Sequence, residues 1–141
     1  MTRPRLATAL LGAFLTSGIA SAGTLTVTVE GVRAHPGPLY VGVQTESQYM
    51  KDDGIAGEMI AAPAEGTLTL SFDLPEGRYA ISAWHDLKAN GNFDLMPDGR
   101  PADGWSTLKA ETLTAAPTFE QASVTVGADG KAITLKMIYP E

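Results

Sequence analysis

The sequence predicts an all-β fold, a single antiparallel β-sandwich of about seven strands in Greek-key order. Three observations lead there. Apolar residues recur at every second position along most of the chain, the mark of strands with one buried face and one wet face. Clusters of Gly, Pro, Asp and Asn break these runs at short intervals, as hairpin-connected strands require. The length of 141 residues, with 44% hydrophobic and 18% charged residues, suits one domain with a core of its own.

The first segment reads as an address. Arg3 and Arg5 form a short basic region, Leu6 to Ile19 a mostly apolar run, and Ala20-Ser21-Ala22 a small-x-small cleavage site. The run is shorter than the ~20 residues that span a bilayer, so residues 1–22 are expected to be a cleaved signal peptide and residues 23–141 the mature domain. Removal leaves 119 residues, and without the two arginines the charge moves from −6 to −8. With no cysteine for disulfides, a bacterial periplasm or culture medium is the expected location, and the mature chain is expected to carry no membrane span. The missing cysteine also excludes thiol catalysis and thiolate metal sites. Sixteen acidic against ten basic residues argue against nucleic acid as a partner.

The strands follow in order. Thr24–Glu30 places Leu25, Val27 and Val29 on one face, and Leu39–Gln44 does so with Leu39, Val41 and Val43. Glu46–Asp53 has room for one helical turn. Met59–Ala62, ended by Pro63, reads as a short edge strand. Thr67–Asp73 turns Leu68, Leu70 and Phe72 inward; Arg78–His85 turns Tyr79, Ile81 and Ala83 inward, with Trp84 on the opposite face. Ala122–Val126 and Ala132–Tyr139 close the domain across the Asp129-Gly130 turn. Between them, residues 86–120 form one long loop, and loops beyond roughly 12–15 residues tend to carry function.

That loop opens with His85-Asp86-Leu87-Lys88-Ala89-Asn90-Gly91-Asn92-Phe93-Asp94. Counted from Asp86, the spacing resembles the calcium loops of EF-hands and dockerins, in which hard oxygen ligands sit on a tight turn relieved by Gly. Asp86, Asn90, Asn92 and Asp94 are the candidate Ca2+ ligands. Lys88 stands at the third ligand position and Pro97 at the twelfth, so the competing expectation is an Asx turn satisfying its own backbone, with Lys88 salt-bridged to Asp86 or Asp94. His85, Asp86, Asn90, Asn92, Asp94 and Trp105 are the expected binding loop. A copper or zinc site from His35 and His85, completed by Asp86 or Met96, is an alternative. No catalytic residues are expected. Ser106 lacks a G-x-S-x-G setting, and an acid pair from Asp86, Asp94, Asp98 and Asp103 would need a deep cleft.

The chain also resembles an uncharacterised bacterial family of exported proteins, a domain of unknown function. The matching segments are Leu25-Thr26-Val27-Thr28-Val29-Glu30-Gly31-Val32, Gly77-Arg78-Tyr79-Ala80-Ile81 leading into His85-Asp86, Gly99-Arg100-Pro101-Ala102-Asp103-Gly104-Trp105-Ser106 and Pro117-Thr118-Phe119-Glu120-Gln121-Ala122. The family's third loop ligand, usually Asn, is Lys88 here. Leu74-Pro75-Glu76-Gly77-Arg78-Tyr79-Ala80 is similar to a turn-strand of transthyretin-like and carboxypeptidase-regulatory-like sandwiches, which implies a seven-stranded sandwich. The Tyr139-Pro140-Glu141 end differs from the Y-R-G-S of the hydroxyisourate hydrolases. The expected function is a non-enzymatic envelope or extracellular binding or structural module with an unidentified partner and no cofactor, the alternatives being a metal-binding version and a small hydrolase.

Overall fold

The computed structural model describes residues 22–141; the expected signal peptide lies, but for Ala22, outside the described residues. Eight strands form two sheets: β1 (Ala22–Val32), β2 (Leu39–Gln44), β3 (Ala56–Ile60), β4 (Gly66–Pro75), β5 (Gly77–His85), β6 (Gly104–Thr107), β7 (Ser123–Val126) and β8 (Lys131–Lys136). One helical turn, α1 (Phe119–Ala122), precedes β7, and 3-10 turns lie at Glu46–Gln48 and Ala110–Thr112. The smaller sheet runs β4-β1-β8; the larger runs β3-β2-β5-β6, with β7 also on β5.

The alternation dictates which faces meet. Leu25, Val27 and Val29 of β1, Leu39, Val41 and Val43 of β2, Ile81 of β5 and Leu135 of β8 are all buried between the sheets. Each such side chain contributes about 1.5–3 kcal/mol by leaving water. One register irregularity, between Val29 and Val32 against β4, coincides with Gly31 at φ +72°, a left-handed conformation that glycine adopts without steric cost.

Four details correct the expectations. Eight strands lie among the described residues, one more than the sequence count of about seven. The pairing is mixed, because β1 and β8 run parallel. The edge strand expected at Met59–Ala62 begins earlier, at Ala56. Residues 86–120 are not one loop: β6, a 3-10 turn and the start of α1 interrupt them. β6 extends the larger sheet beside the second half of β5, pairing Trp84 with Trp105 and Ala83 with Ser106, while β7 pairs the first half from Gly77 to Ala80.

The two long sides of the sandwich differ. On the β6/β8 side the chain passes from one sheet to the other: Trp105 and Ile138 exchange backbone hydrogen bonds of 2.9 and 2.8 Å, and the Ser106 hydroxyl donates to the Lys136 carbonyl at 2.7 Å. On the opposite side β3 and β4 are the outer strands of their sheets and are not paired with each other. No helix among the described residues is long and apolar enough to cross a membrane.

Candidate functional site

The excursion after β5 is a built structure. Asp86 is 1% exposed, and its amide donates to the Pro38 carbonyl at 2.9 Å. Its carboxylate accepts the amides of Asn90 (3.3 Å) and Gly91 (2.8 Å). Gly91 at φ +74° makes this turn tight enough for its N–H to face back onto the carboxylate. Asn90 donates its side-chain amide to Asp94 at 2.9 Å and accepts the Asn92 amide at 3.0 Å. Beyond Asp94 a small hairpin returns: Leu95 bridges Pro101, and Ala102 donates to the Asp94 carbonyl at 2.8 Å.

Asp103 ties the excursion down. It is 0% exposed and accepts three donors: the Leu87 amide (3.1 Å), the Asp94 amide (3.0 Å) and the Trp84 indole N–H (3.0 Å). One carboxylate thus joins both limbs of the loop to β5. One oxygen each from Asp86, Asp94 and Asp103 lie within 4.8 Å of one another. Of the expected ligands, then, Asp86 and Asp94 converge, Asn90 reaches Asp94 through its amide nitrogen, and Asn92 is exposed. Asp103, the third member, was weighed in the sequence only as one acid among several.

Lys88 corrects a second expectation. It is exposed, and among the described residues the salt bridge is Asp98–Arg100 at 2.7 Å, at the hairpin tip. There the Arg100 backbone and guanidinium hold Asp98 below the usual carboxylate range. Lys88 therefore neither pairs with the three acids nor fills the space between them.

The two histidines do meet. His35 and His85 rings pack edge to face at 5.6 Å. His85 is fully buried, and both nitrogens are engaged: Nε2 with the Gly37 carbonyl at 3.0 Å, Nδ1 with the Tyr139 hydroxyl at 2.7 Å. A carbonyl only accepts, so in the neutral ring Nε2 carries the proton and Nδ1 accepts a hydrogen bond from the Tyr139 hydroxyl. The Tyr139 oxygen in turn accepts the Arg33 amide at 3.0 Å. A copper or zinc ion at His85 would have to break one of these bonds, which argues against the His35/His85 site. Burial pushes the imidazole below its ordinary pKa, against the smaller opposing effect of the Gly37 hydrogen bond. Ser106 is equally committed: it is 2% exposed, and its hydroxyl donates to backbone carbonyls.

The open feature lies on the outer face of the larger sheet. Trp84, Trp105, Phe93, Met96, Leu113 and Ile138 line a groove of about 1000 Å³. Its walls are the 93–101 hairpin and the 113–117 segment, with the Tyr49–Met50 turn at one end. Tyr40 stacks on Trp84 at 4.9 Å and Phe93 meets it edge-on at 6.3 Å, while Asp103 holds the indole N–H. Phe93 is 46% exposed, Leu95 58% and Met50 72%. Of the expected binding-loop residues, only Trp105 lines the groove itself; His85 lies behind the sheet, and the Asp86–Asp94 turn supports the Phe93 wall. Sequence reasoning missed the far wall, although Thr118 and Gln121, which form the capping box of the α1 turn that ends it, stand at the spacing such a box requires.

A family model described as an uncharacterized protein conserved in bacteria matches residues 27–134. No curated protein and no solved structure matches the chain.

Proposed function

Because the chain belongs to this bacterial family, DUF2141, whose activity is uncharacterised, we propose from its own geometry that it is an exported, non-enzymatic binding module that takes an apolar ligand in the groove over the larger sheet. The observation that carries this is the groove itself. At about 1000 Å³ it lies at the upper end of the size of ligand pockets, and it has their usual make-up of aromatic and aliphatic walls with few polar groups. Trp84 is immobilised by Tyr40 and Asp103, so one wall is organised before any ligand arrives, and less conformational entropy is lost on binding. The signal-like pattern of residues 1–22 supports export. The engagement of Ser106 and His85 in structural hydrogen bonds supports a non-enzymatic role. The likeness of Leu74–Ala80 to transthyretin-like sandwiches agrees with the fold but does not bear on the ligand.

The test is a fluorescence titration with a neutral apolar dye, read from the two tryptophans. Saturable binding is expected, weakened about tenfold or more in Trp105→Ala while the far-ultraviolet circular dichroism stays unchanged. Absence of saturable binding, or an affinity indifferent to Trp105 and Phe93, would reject the reading. Cell fractionation tests export: a processed chain in the periplasm or medium is expected, an unprocessed one in the cytoplasm is not.

A second reading rests on Asp86, Asp94 and Asp103. One oxygen from each carboxylate lies within 4.8 Å of the others, and no basic side chain is paired with them among the described residues. An all-oxygen donor set suits Ca2+ rather than zinc or copper. Calcium at millimolar concentration is then expected to raise the melting temperature by mass action, and Lys88→Asn to increase that shift. An unchanged melt and no heat in calorimetry would dispose of the cation while leaving the groove untouched.

A further inference from the structure

We propose that β4 is a docking edge for a second copy of this chain, pairing antiparallel with its symmetry mate about Leu70 to join two three-stranded sheets into one of six. The two long sides of the sandwich are unequally closed. The β6/β8 side is sealed by the Trp105–Ile138 backbone exchange and the Ser106–Lys136 bond. Among the described residues β4 pairs only with β1, so its other edge presents backbone donors and acceptors that no strand there takes up.

Outer strands are normally blunted by lysine, proline, a bulge or short length. From Leu68 to Phe72 β4 has none of these: Leu68-Thr69-Leu70-Ser71-Phe72 is uncharged and strictly alternating, proline comes only at position 75, and the register irregularity against β1 lies at the strand's start, between Gly66 and Leu68. The inward side chains Leu68 and Leu70 are only half-buried, unlike the 0% exposed Leu25, Val27 and Val29 of neighbouring β1. The smaller sheet is thus one strand short of covering its own apolar face at this edge.

The strand is also self-complementary. A two-fold axis at Leu70 sets Leu68 opposite Phe72 of the other copy and Thr69 opposite Ser71. It sets Thr67 opposite Asp73, which keeps the two aspartates apart. Apolar faces apolar, hydroxyl faces hydroxyl, and no like charges meet, the arrangement that stabilises cross-strand pairs. A two-fold interface of this kind closes on itself and uses the same patch on both copies. The net negative charge of the chain opposes association at long range, but physiological salt screens it beyond about 8 Å, and the one charge on the paired edge, Asp73, faces a threonine of the other copy. One strand pair is small beside the ~1,200–2,000 Å² of stable interfaces, so the dimer is expected to be concentration-dependent.

Sedimentation velocity of the purified protein over micromolar to millimolar concentration tests this. A monomer–dimer equilibrium is expected. Thr69→Lys with Ser71→Lys places like charges opposite each other twice and should return the protein to monomer. Thr69→Lys with Ser71→Glu places opposite charges there in the Leu70-centred register and should keep the dimer. Both variants alter exposed positions, and a melt within a few degrees of the parent confirms that each folds. A monomer at every concentration, an open ladder of larger species, or a dimer that ignores both variants would overturn the proposal. So would loss of dimer in both, since only a different register penalises the Lys/Glu pair.

Discussion

The hydrogen-bond chain from Arg33 through Tyr139 and His85 to Gly37 has one consistent set of proton positions, with a neutral imidazole. It predicts a pH dependence of stability. An unfolded histidine takes up a proton near pH 6.5, whereas the folded protein resists it, because burial lowers the pKa. The unfolded state therefore binds more protons in acid. The stability from this group is complete above about pH 6.5 and is lost as the pH falls below it. Urea denaturation at pH 7.5 and pH 5 should show the difference, and His85→Gln should flatten it. Tyr139→Phe removes the donor to Nδ1 and the acceptor for the Arg33 amide, and is expected to cost about 1–3 kcal/mol. Asp103→Ala strands three donors, Leu87, Asp94 and Trp84. It is expected to cost about 2–4 kcal/mol, partly offset by relief of repulsion from Asp86 and Asp94, with a shift in tryptophan emission as Trp84 loses its partner. An unshifted spectrum and an unchanged melt would show that Asp103 does not organise the loop.

At the scale of elements, α1 is four residues long and owes its existence to its ends. Thr118 accepts the Gln121 amide at 3.3 Å, and Gln121 accepts the Thr118 amide at 2.9 Å. The turn presses Phe119 and Ala122 onto Ala80, on the outer face of β5. Thr118→Ala is expected to cost about 1 kcal/mol and to loosen the 113–117 wall, visible as weaker dye binding without loss of the sheets. The same element shows where the sequence was legible. β1, β2, β4 and β5 each put three or more apolar side chains on one face, and β8 puts Ile133 and Leu135 there with Met137 continuing the alternation just past its end, so one period-two pattern suffices for each. β6 has no such pattern. Its inward residues are Gly104, which lies so close to the Tyr139 ring that a Cβ would clash, and Ser106, bonded to β8. Both choices are set by the strand it meets rather than by its own neighbours. The carboxylate triad was half legible for a related reason. Asp86 and Asp94 share a local motif, whereas Asp103 arrives only because the hairpin doubles back.

For the whole molecule, the parallel β1–β8 pairing joins the two ends of the described chain and could not be read locally, since both strands have the same alternating pattern in either direction. It leaves β5 as the axis of the domain. β5 is bonded to β2 along one edge and, on the other, to β7 for its first half and β6 for its second. Amides of β5 are therefore expected to exchange with deuterium most slowly, and those of β4 facing away from β1 most quickly, unless the edge is occupied by a second copy. A uniform exchange rate across both sheets would contradict this hierarchy.

The divided edge of β5 also separates two clocks within one strand. Gly77–Ala80 is guarded by β7, none of whose residues line the groove. Ser82–His85 is guarded by β6, a four-residue strand carrying Trp105 into the groove. Whatever occupies that groove holds β6 in place and is expected to slow exchange in the second half of β5 more than in the first. The strand reports occupancy by a contrast between its own two halves, with the first half as internal reference.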